Sequence, residues 1–308
     1  MSIFKAYDIR GLYGDEMDET TAEQIGRAFV LTLADIAGKE PGDLRIGLGR
    51  DMRLTAPAMA AAYLKGMTSE GAHVIDAGEV ATEMLYFLVG SRELDGGAMC
   101  TASHNPKAYT GVKLVSAGAL PLSGDAGIGD IRKLVEAGMD AAPGAGSSEE
   151  VDLWDEYRAS AEAFIDPTKI KPMKIVVDGG NGMAGPMVGP ILEELDLDLI
   201  TSYWKPNGNF PDHEPNPLLP ENREFIIKKV KAEGAVPGDA DRWHGVGLWR
   251  ELCGAHDLCL FVRSQETDCS GERRNGDSLV GEDLAGERDQ FDTLAGQFVV
   301  VGDPVAQP

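Results

Sequence analysis

Short apolar segments alternate with amphipathic ones through roughly the first 235 residues of the chain. Between residues 19 and 37, for example, Ile25, Phe29 and Leu33 recur at the spacing of one helical face. Such alternation indicates parallel strands, because parallel neighbours need a long crossover connection that a helix supplies. The sequence therefore predicts an α/β fold with a mixed, mostly parallel sheet and helices on both faces. We expect strands at 44–51, 73–78, 96–103, 111–115, 174–182 and 197–203, and helices at 19–37, 55–70, 83–94, 126–137, 151–164, 186–195 and 221–233.

A stretch of small residues interrupts this alternation at 139–150. It is rich in Gly, Ala and Ser and poor in apolar side chains, which is typical of a linker. We therefore expect two successive α/β domains, the first over 1–138 and a second, incomplete one over 151–242. Residues 243–308 form a tail of different texture, to which we assign no regular structure apart from a strand candidate at 297–303.

Composition argues against several classes of protein. The net charge is −23 at pH 7, so a general affinity for nucleic acid is not expected. No apolar run approaches the roughly 18 residues of a membrane span, and no secretory signal is visible at the start. We therefore expect a cytoplasmic protein that binds neither nucleic acid nor membrane. Four cysteines in 308 residues do not make a disulfide scaffold, so we expect reduced thiols.

The sequence TASHNP, residues 101–106, follows a predicted strand, where the active residues of α/β sheets usually lie. Ser103 would sit on a turn fixed by Asn105 and Pro106, with backbone N–H groups free to face an anion. Lys113 follows ten residues later, and it could carry a proton or neutralise phosphate charge. A plain Ser-Asn-Pro turn without a chemical role is the alternative interpretation of these residues alone.

Two further clusters suit phosphate chemistry. Arg10 could grip a phosphate with its planar guanidinium, although a surface salt bridge is the alternative. In the sequence GDADR, Asp239 and Asp241 point to one side if the loop is extended, and two such carboxylates suit Mg²⁺. Arg242 could contact a phosphoryl group beside that metal. A solvated acidic loop is the alternative here.

Six segments occur in an order that resembles the α-D-phosphohexomutase family, in particular its bacterial phosphomannomutase/phosphoglucomutase branch. They are AYDIRG (6–11), GRDMRLT (49–55), TASHNPKAYTGVK (101–113), VDGGNGMAG (177–185), PNGNFPDHEPNP (206–217) and GDADR (238–242). The resemblance covers residues 3 to about 235 and the GDADR fragment. The motifs vary in strength, and TASHNP with its trailing lysine is the most specific.

The resemblance implies a phosphoserine enzyme that interconverts hexose 6-phosphate and hexose 1-phosphate, with mannose or glucose as the sugar. The serine that matches Ser103 carries phosphate, gives it to the sugar phosphate and recovers phosphate from the other position of a 1,6-bisphosphate intermediate. Glucose 1,6-bisphosphate is accordingly the expected activator. The resemblance also implies that Mg²⁺ binds the phosphorylated Ser103 together with Asp239 and Asp241.

The resemblance assigns further catalytic candidates. Arg10, Lys113 and Arg242 match family residues that position the phosphoryl group or move protons. His104 is also a candidate, although we favour a place in the turn around Ser103 over the role of general base. No substrate-binding residue is assigned, and the oligomeric state is left open.

The chain departs from the family pattern at the metal loop and in the tail. Pro237 stands where the family has a third aspartate, and 243–308 lacks the family's sugar-recognition and phosphate-binding loops. The tail contains no Lys, Ile or Tyr, which favours an out-of-frame reading of GC-rich coding sequence over a genuine alternative ending. We therefore expect impaired turnover. The alternatives are an inactive fragment or pseudoenzyme, or a binding protein whose Cys/His tail holds a metal or a partner.

Overall fold

The computed structural model describes residues 3–124, 126–170, 172–217 and 219–235, and the backbone of two later strands. The strands are β1 Ile9–Leu12, β2 Arg45–Arg50, β3 His73–Glu79, β4 Gly96–Cys100, β5 Tyr109–Ser116, β6 Leu120–Pro121, β7 Ser147–Glu150, β8 Met173–Asp178, β9 Leu197–Ser202, β10 Leu258–Val262 and β11 Phe298–Pro304. The helices are α1 Glu19–Ala37, α2 Ala56–Ser69, α3 Thr82–Ser91, α4 Ile128–Ala137, α5 Trp154–Glu162, α6 Ala184–Glu193 and α7 Pro220–Ala232.

The first sheet has the strand order β1-β5-β4-β2-β3-β7, with β6 added to β5. Strand β5 pairs antiparallel with β1, β4 and β6. The remaining pairs, β2 with β3 and β4 and β3 with β7, are parallel. Strand β5 therefore runs against all the other described strands of this sheet, and the predicted mixed, mostly parallel architecture is confirmed.

Helices cover both faces of this sheet, as predicted. On one face Ile25 and Phe29 of α1 and Met59 of α2 are fully buried in one apolar cluster. On the other face Leu85 and Leu88 of α3 belong to a second apolar cluster. The helical spacing of the apolar residues in α1 is thus explained by the face that it turns to the sheet.

The second sheet has the order β10-β11-β8-β9, in which β8 is parallel to β9 and antiparallel to β11. Alternate side chains of β8 point to opposite faces of this sheet. Ile175 and Val177 belong to the apolar cluster that includes α6, whereas Val176 packs with Ile226 and Val230 of α7. Helices α6 and α7 therefore cover opposite faces of β8.

Four strands of the structure, β1, β6, β7 and β10, were not predicted from the sequence. Residues 147–150, which we expected in the linker, pair in parallel with β3 as strand β7. All four side chains of β7 are polar and exposed, so no apolar pattern marks the strand. The strand expected at 297–303 is confirmed as β11, and β10 beside it was not predicted.

Within the part of the chain that the structure describes, no helix combines the length and the apolar character that crossing a membrane requires.

Helices α1 and α2 approach each other closely at two glycines. A Cβ atom at Gly26 would lie 2.6 Å from the backbone oxygen of Tyr63, and one at Gly66 would overlap the backbone oxygen of Glu23. Both obstacles are backbone atoms, so neither can rotate away. Glycine at both positions therefore permits the close helix contact.

We expect Gly66→Ala to lower the free energy of unfolding by about 1–3 kcal/mol, because the added methyl group overpacks the contact between α1 and α2. Urea unfolding followed by circular dichroism measures the difference. Gly90→Ala in α3 is the matched control, since a Cβ there meets nothing within 4 Å. Equal unfolding midpoints for the two variants would contradict the described helix contact.

Candidate active site

Ser103 lies in the loop that joins β4 to β5. Its side chain and backbone are 6% exposed, and its φ of +51° lies in the left-handed region. Backbone hydrogen bonds close the loop on both sides, from Asn105 N to the carbonyl of Ala102 and from Tyr109 N to that of Pro106, each 3.0 Å long. Left-handed geometry is unfavourable by about 1–2 kcal/mol for a non-glycine residue, so the surrounding contacts must hold Ser103 in it.

Thr101, which follows β4, and Asp51, which follows β2, fix the backbone of the serine. The Ser103 N–H donates to Thr101 Oγ1 over 2.9 Å, and that hydroxyl donates to Asp51 Oδ2 over 2.7 Å. Asp51 also accepts a 3.0 Å bond from the backbone N–H of Arg53. Burial raises the pKa of Asp51, while the positive charge of Arg53 and the Thr101 hydrogen bond act in the opposite direction.

The guanidinium of Arg53 holds the rest of the loop. Its Nη2 donates to the carbonyls of Ser103 at 2.6 Å and Asn105 at 2.7 Å, and its Nη1 donates to those of Pro106 at 3.1 Å and Tyr109 at 3.4 Å. Arg53 is 2% exposed, and burial lowers its pKa. This role was not predicted from the sequence, because the carbonyls that accept from Arg53 lie about fifty residues further along the chain.

Arg10 reaches the same loop from β1. Its Nη1 donates to Asn105 Oδ1 over 2.8 Å, and its Nε donates to Asp8 Oδ1 over 2.9 Å. Asp8 is buried, so the ion pair is not the exposed surface contact that we considered as the alternative. The structure therefore brings Arg10 to the loop of Ser103.

Lys113 and His104, two further catalytic candidates, have fewer described contacts with the loop of Ser103. Lys113 is buried in β5, in register with Met99 of β4, the strand that leads to the serine loop. His104 Nδ1 lies 3.5 Å from Ser103 Oγ, which is long for a hydrogen bond. His104 lies in the turn beside Ser103, and both its structural role in the turn and its role as general base stay predictions.

The predicted metal ligands Asp239 and Asp241, with Arg242 and Pro237, lie outside the described residues. Of the donors that we predicted for Mg²⁺, the structure describes Ser103, whose single hydroxyl is not a divalent-cation site by itself. No group of three His, Cys, Asp or Glu side chains in the described ranges is placed to hold a metal ion. Mg²⁺ binding therefore stays a prediction that depends on the two aspartates.

A second polar cluster follows β8. Asp178 Oδ1 accepts the Gly180 N–H at 2.9 Å, and Asp178 Oδ2 lies 3.0 Å from Nε2 of His213. The hydrogen bond from Asp178 raises the pKa of His213, while burial opposes the change. Asn181 has a left-handed φ of +57°. Formation of the turn after β8 accounts for the Gly180 contact and for the conformation of Asn181. His213 was not singled out from the sequence.

Two family profiles match the sequence. The profile of the phosphoglucomutase/phosphomannomutase alpha/beta/alpha domain I matches residues 1–141, and that of domain II matches residues 155–244. The two profiles describe consecutive α/β/α domains of hexose phosphate mutases, and each covers strands of one of the two sheets of the structure. The chain belongs to the phosphoglucomutase/phosphomannomutase family.

Individual relatives agree with this assignment. A phosphomannomutase of Salmonella montevideo is 41% identical over 257 residues, which cover 79% of this chain and 54% of the relative. A phosphomannomutase/phosphoglucomutase of Pseudomonas aeruginosa is 40% identical over 246 residues, covering 78% and 51%. The solved structure of a family protein from Burkholderia thailandensis superimposes with a TM-score of 0.65 at 35% identity, over 75% of this chain and 50% of that one. The chain spans about half the length of the curated relatives it matches.

We expect Thr101→Val to lower the free energy of unfolding by about 1–3 kcal/mol, because it removes the hydroxyl that joins the Ser103 N–H to the Asp51 carboxylate. Thr101→Ser keeps that hydroxyl and is the control. Urea unfolding of both variants gives the difference. A Val variant as stable as the Ser variant would show that the hydroxyl contributes nothing to the loop.

The ion pair of His213 and Asp178 predicts a pH-dependent stability. The folded-state pKa of His213 is raised above 6.5, so its contribution is complete below pH 6.5 and is lost as the pH rises through the folded value. Asp178→Asn should therefore cost more stability near pH 6 than near pH 9. Unfolding at the two pH values measures this, and an NMR titration should show a lower pKa for His213 in the variant. The same loss at both pH values would contradict the pairing.

Proposed function

We propose that this chain carries the phosphoserine of a phosphohexomutase, which interconverts hexose 6-phosphate and hexose 1-phosphate of mannose or glucose in the cytoplasm. The observation that carries the proposal is the geometry of Ser103, a serine in left-handed conformation whose loop is clamped by Arg53 and contacted by Arg10 through Asn105. The names of the relatives, phosphomannomutase and phosphohexose mutases, support the same substrate class.

The chemistry proposed for Ser103 is phosphoryl transfer. A bond forms between Ser103 Oγ and the phosphorus of a sugar bisphosphate while the bond from phosphorus to the sugar oxygen breaks. The serine loses its proton and the sugar oxygen gains one. Such transfers depend mainly on positioning and on stabilisation of charge at the phosphoryl oxygens. Lys113 is the proposed proton carrier, and Arg10 the proposed charge partner.

The proposed roles differ in how the structure supports them. Two hydrogen-bonded partners orient Arg10, Asp8 on one side and Asn105 on the other. Mg²⁺, when bound, would supply further charge stabilisation, with Asp239 and Asp241 as its proposed protein ligands and Arg242 beside it. Those three residues rest on the sequence alone.

The plain-turn interpretation of residues 101–106 explains less of the structure. A turn made by Asn105 and Pro106 does not need an aspartate and an arginine buried beneath it. Taking Asp51 and Arg53 out of water costs several kcal/mol each before their mutual contacts are counted. A functional demand on the position of Ser103 accounts for that arrangement.

Incubation with glucose 1,6-bisphosphate and Mg²⁺ should place one phosphate on Ser103, because the loop presents this hydroxyl in fixed geometry. Intact-mass measurement and peptide mapping detect the phosphate. Ser103→Ala should abolish it, and Ser91→Ala at the exposed end of α3 should leave it unchanged. Absence of phosphate on Ser103 in a folded protein would overturn the proposal.

Turnover is a separate measurement. A coupled assay that follows glucose 1-phosphate to glucose 6-phosphate separates a working mutase from a chain that accepts phosphate and releases no product.

A further inference from the structure

The second domain touches the first beside the serine loop. Residues 207–210 of the second domain pack on residues 52–54 of the first, the turn between β2 and α2. A Cβ atom at Gly208 would come within 2.7 Å of both Leu54 N and Met52 O, so this approach is of backbone against backbone. Glycine at this position is what allows the two segments to lie so close.

The docked segment is braced within its own domain. Asn207 N donates to the carbonyl of Asn181 over 2.8 Å, which ties the segment to the glycine-rich loop after β8. Phe210 N donates to the carbonyl of Asn207 over 2.9 Å, and Asn209 N donates to Asn207 Oδ1 over 3.0 Å. Residues 207–210 therefore move with the second domain, and a shift of that domain changes their contact with residues 52–54.

Arg53 lies between this segment and the serine loop. The carbon at the centre of its guanidinium is 5.1 Å from the centroid of the Phe210 ring. The edge of the same guanidinium donates to the four loop carbonyls, including that of Ser103 at 2.6 Å. A planar guanidinium can contact an aromatic ring with its face while its edge donates hydrogen bonds, and the ammonium group of lysine lacks this geometry. Arg53 and Phe210 are both buried, at 2% and 9% exposure.

We infer that Arg53 is a positioning residue that couples the docking of the second domain to the geometry of Ser103. When residues 207–210 are seated, Phe210 and the backbone of Gly208 confine Arg53, and Arg53 confines the loop. When they are displaced, the guanidinium loses its stacking partner and the four carbonyls lose their fixed donor. Phosphoryl transfer at Ser103 then depends on domain docking. This step rests on the function proposed above, whereas the conformational coupling does not.

The coupling is tested first without any substrate. Gly208→Ala and Phe210→Ala disturb the docked segment without touching residues 101–109, and hydrogen exchange of the intact protein follows both regions by mass spectrometry. We expect exchange in 101–109 to become about tenfold faster or more in each variant. Gly90→Ala and Phe164→Ala are the matched controls, since the first has open space at its Cβ and the second removes an exposed ring. Faster exchange confined to 205–212 would overturn the coupling.

The rate of Ser103 phosphorylation by glucose 1,6-bisphosphate tests the catalytic consequence. In Phe210→Ala the maximal rate should fall about tenfold, while the half-saturating concentration changes by less than about twofold, because substrate contacts are kept. Arg53→Lys keeps the positive charge but loses the paired N–H donors of the guanidinium. Its maximal rate should be as low as that of Phe210→Ala or lower. Arg132→Lys on the exposed face of α4 should match the parent chain.

A double variant shows whether the two residues act through one another. Arg53→Lys combined with Phe210→Ala should be no slower than Arg53→Lys alone, because the effect of Phe210 passes through the arginine. A rate that falls by the product of the two single effects would mean independent roles and overturn the inference. If the parent chain takes no phosphate, the proposed function fails, and hydrogen exchange still decides whether docking is coupled to the loop.

Discussion

The buried ion pair of Asp51 and Arg53 is the interaction on which the candidate site depends. Arg53 Nε lies 3.3 Å from Asp51 Oδ2 and makes no hydrogen bond of its own. Burying both charges costs several kcal/mol, which hydrogen bonds to their other polar atoms offset. Asp51 accepts from the Thr101 hydroxyl and from a backbone N–H, and Arg53 donates to four carbonyls of the serine loop. The contacts that stabilise the two buried charges therefore also fix the backbone on both sides of Ser103. A substitution that removes these contacts destabilises the charges and releases the loop together.

The two domains share an apolar layer, and the site lies at its edge. One buried cluster combines Leu85 and Leu88 of the first domain with Val177 and Met187 of the second. Phe210 belongs to this cluster and also stacks on Arg53. Association of the domains is thus driven by burial of apolar surface. Beside the polar site, the second domain contacts the first through the backbone of Gly208 and through the Phe210 ring on Arg53.

The sequence predicted the parts of the fold that carry a periodic apolar signal. Helix α1 was predicted because the residues of its buried face repeat at helical spacing, and strand β3 because it is a short apolar segment in an alternating chain. Ser103 became a candidate because its loop follows a strand of a mostly parallel sheet. Strand β7 was missed because its side chains are all polar. The role of Arg53 was missed because it arises from carbonyls that only the folded chain brings together. The docking of Gly208 was missed for the same reason, since a close approach leaves no periodicity in either segment.

The conformation of Ser103 also bears on why a serine stands there. A φ of +51° is populated by glycine at no steric cost and by asparagine with little, so a position selected for turn geometry alone favours those residues. For serine the same geometry is unfavourable by about 1–2 kcal/mol of conformational free energy. The side chains of Arg53, Asp51 and Thr101 hold the loop in this geometry. The property that serine has and glycine lacks is the hydroxyl, which is the phosphate acceptor in the proposed function.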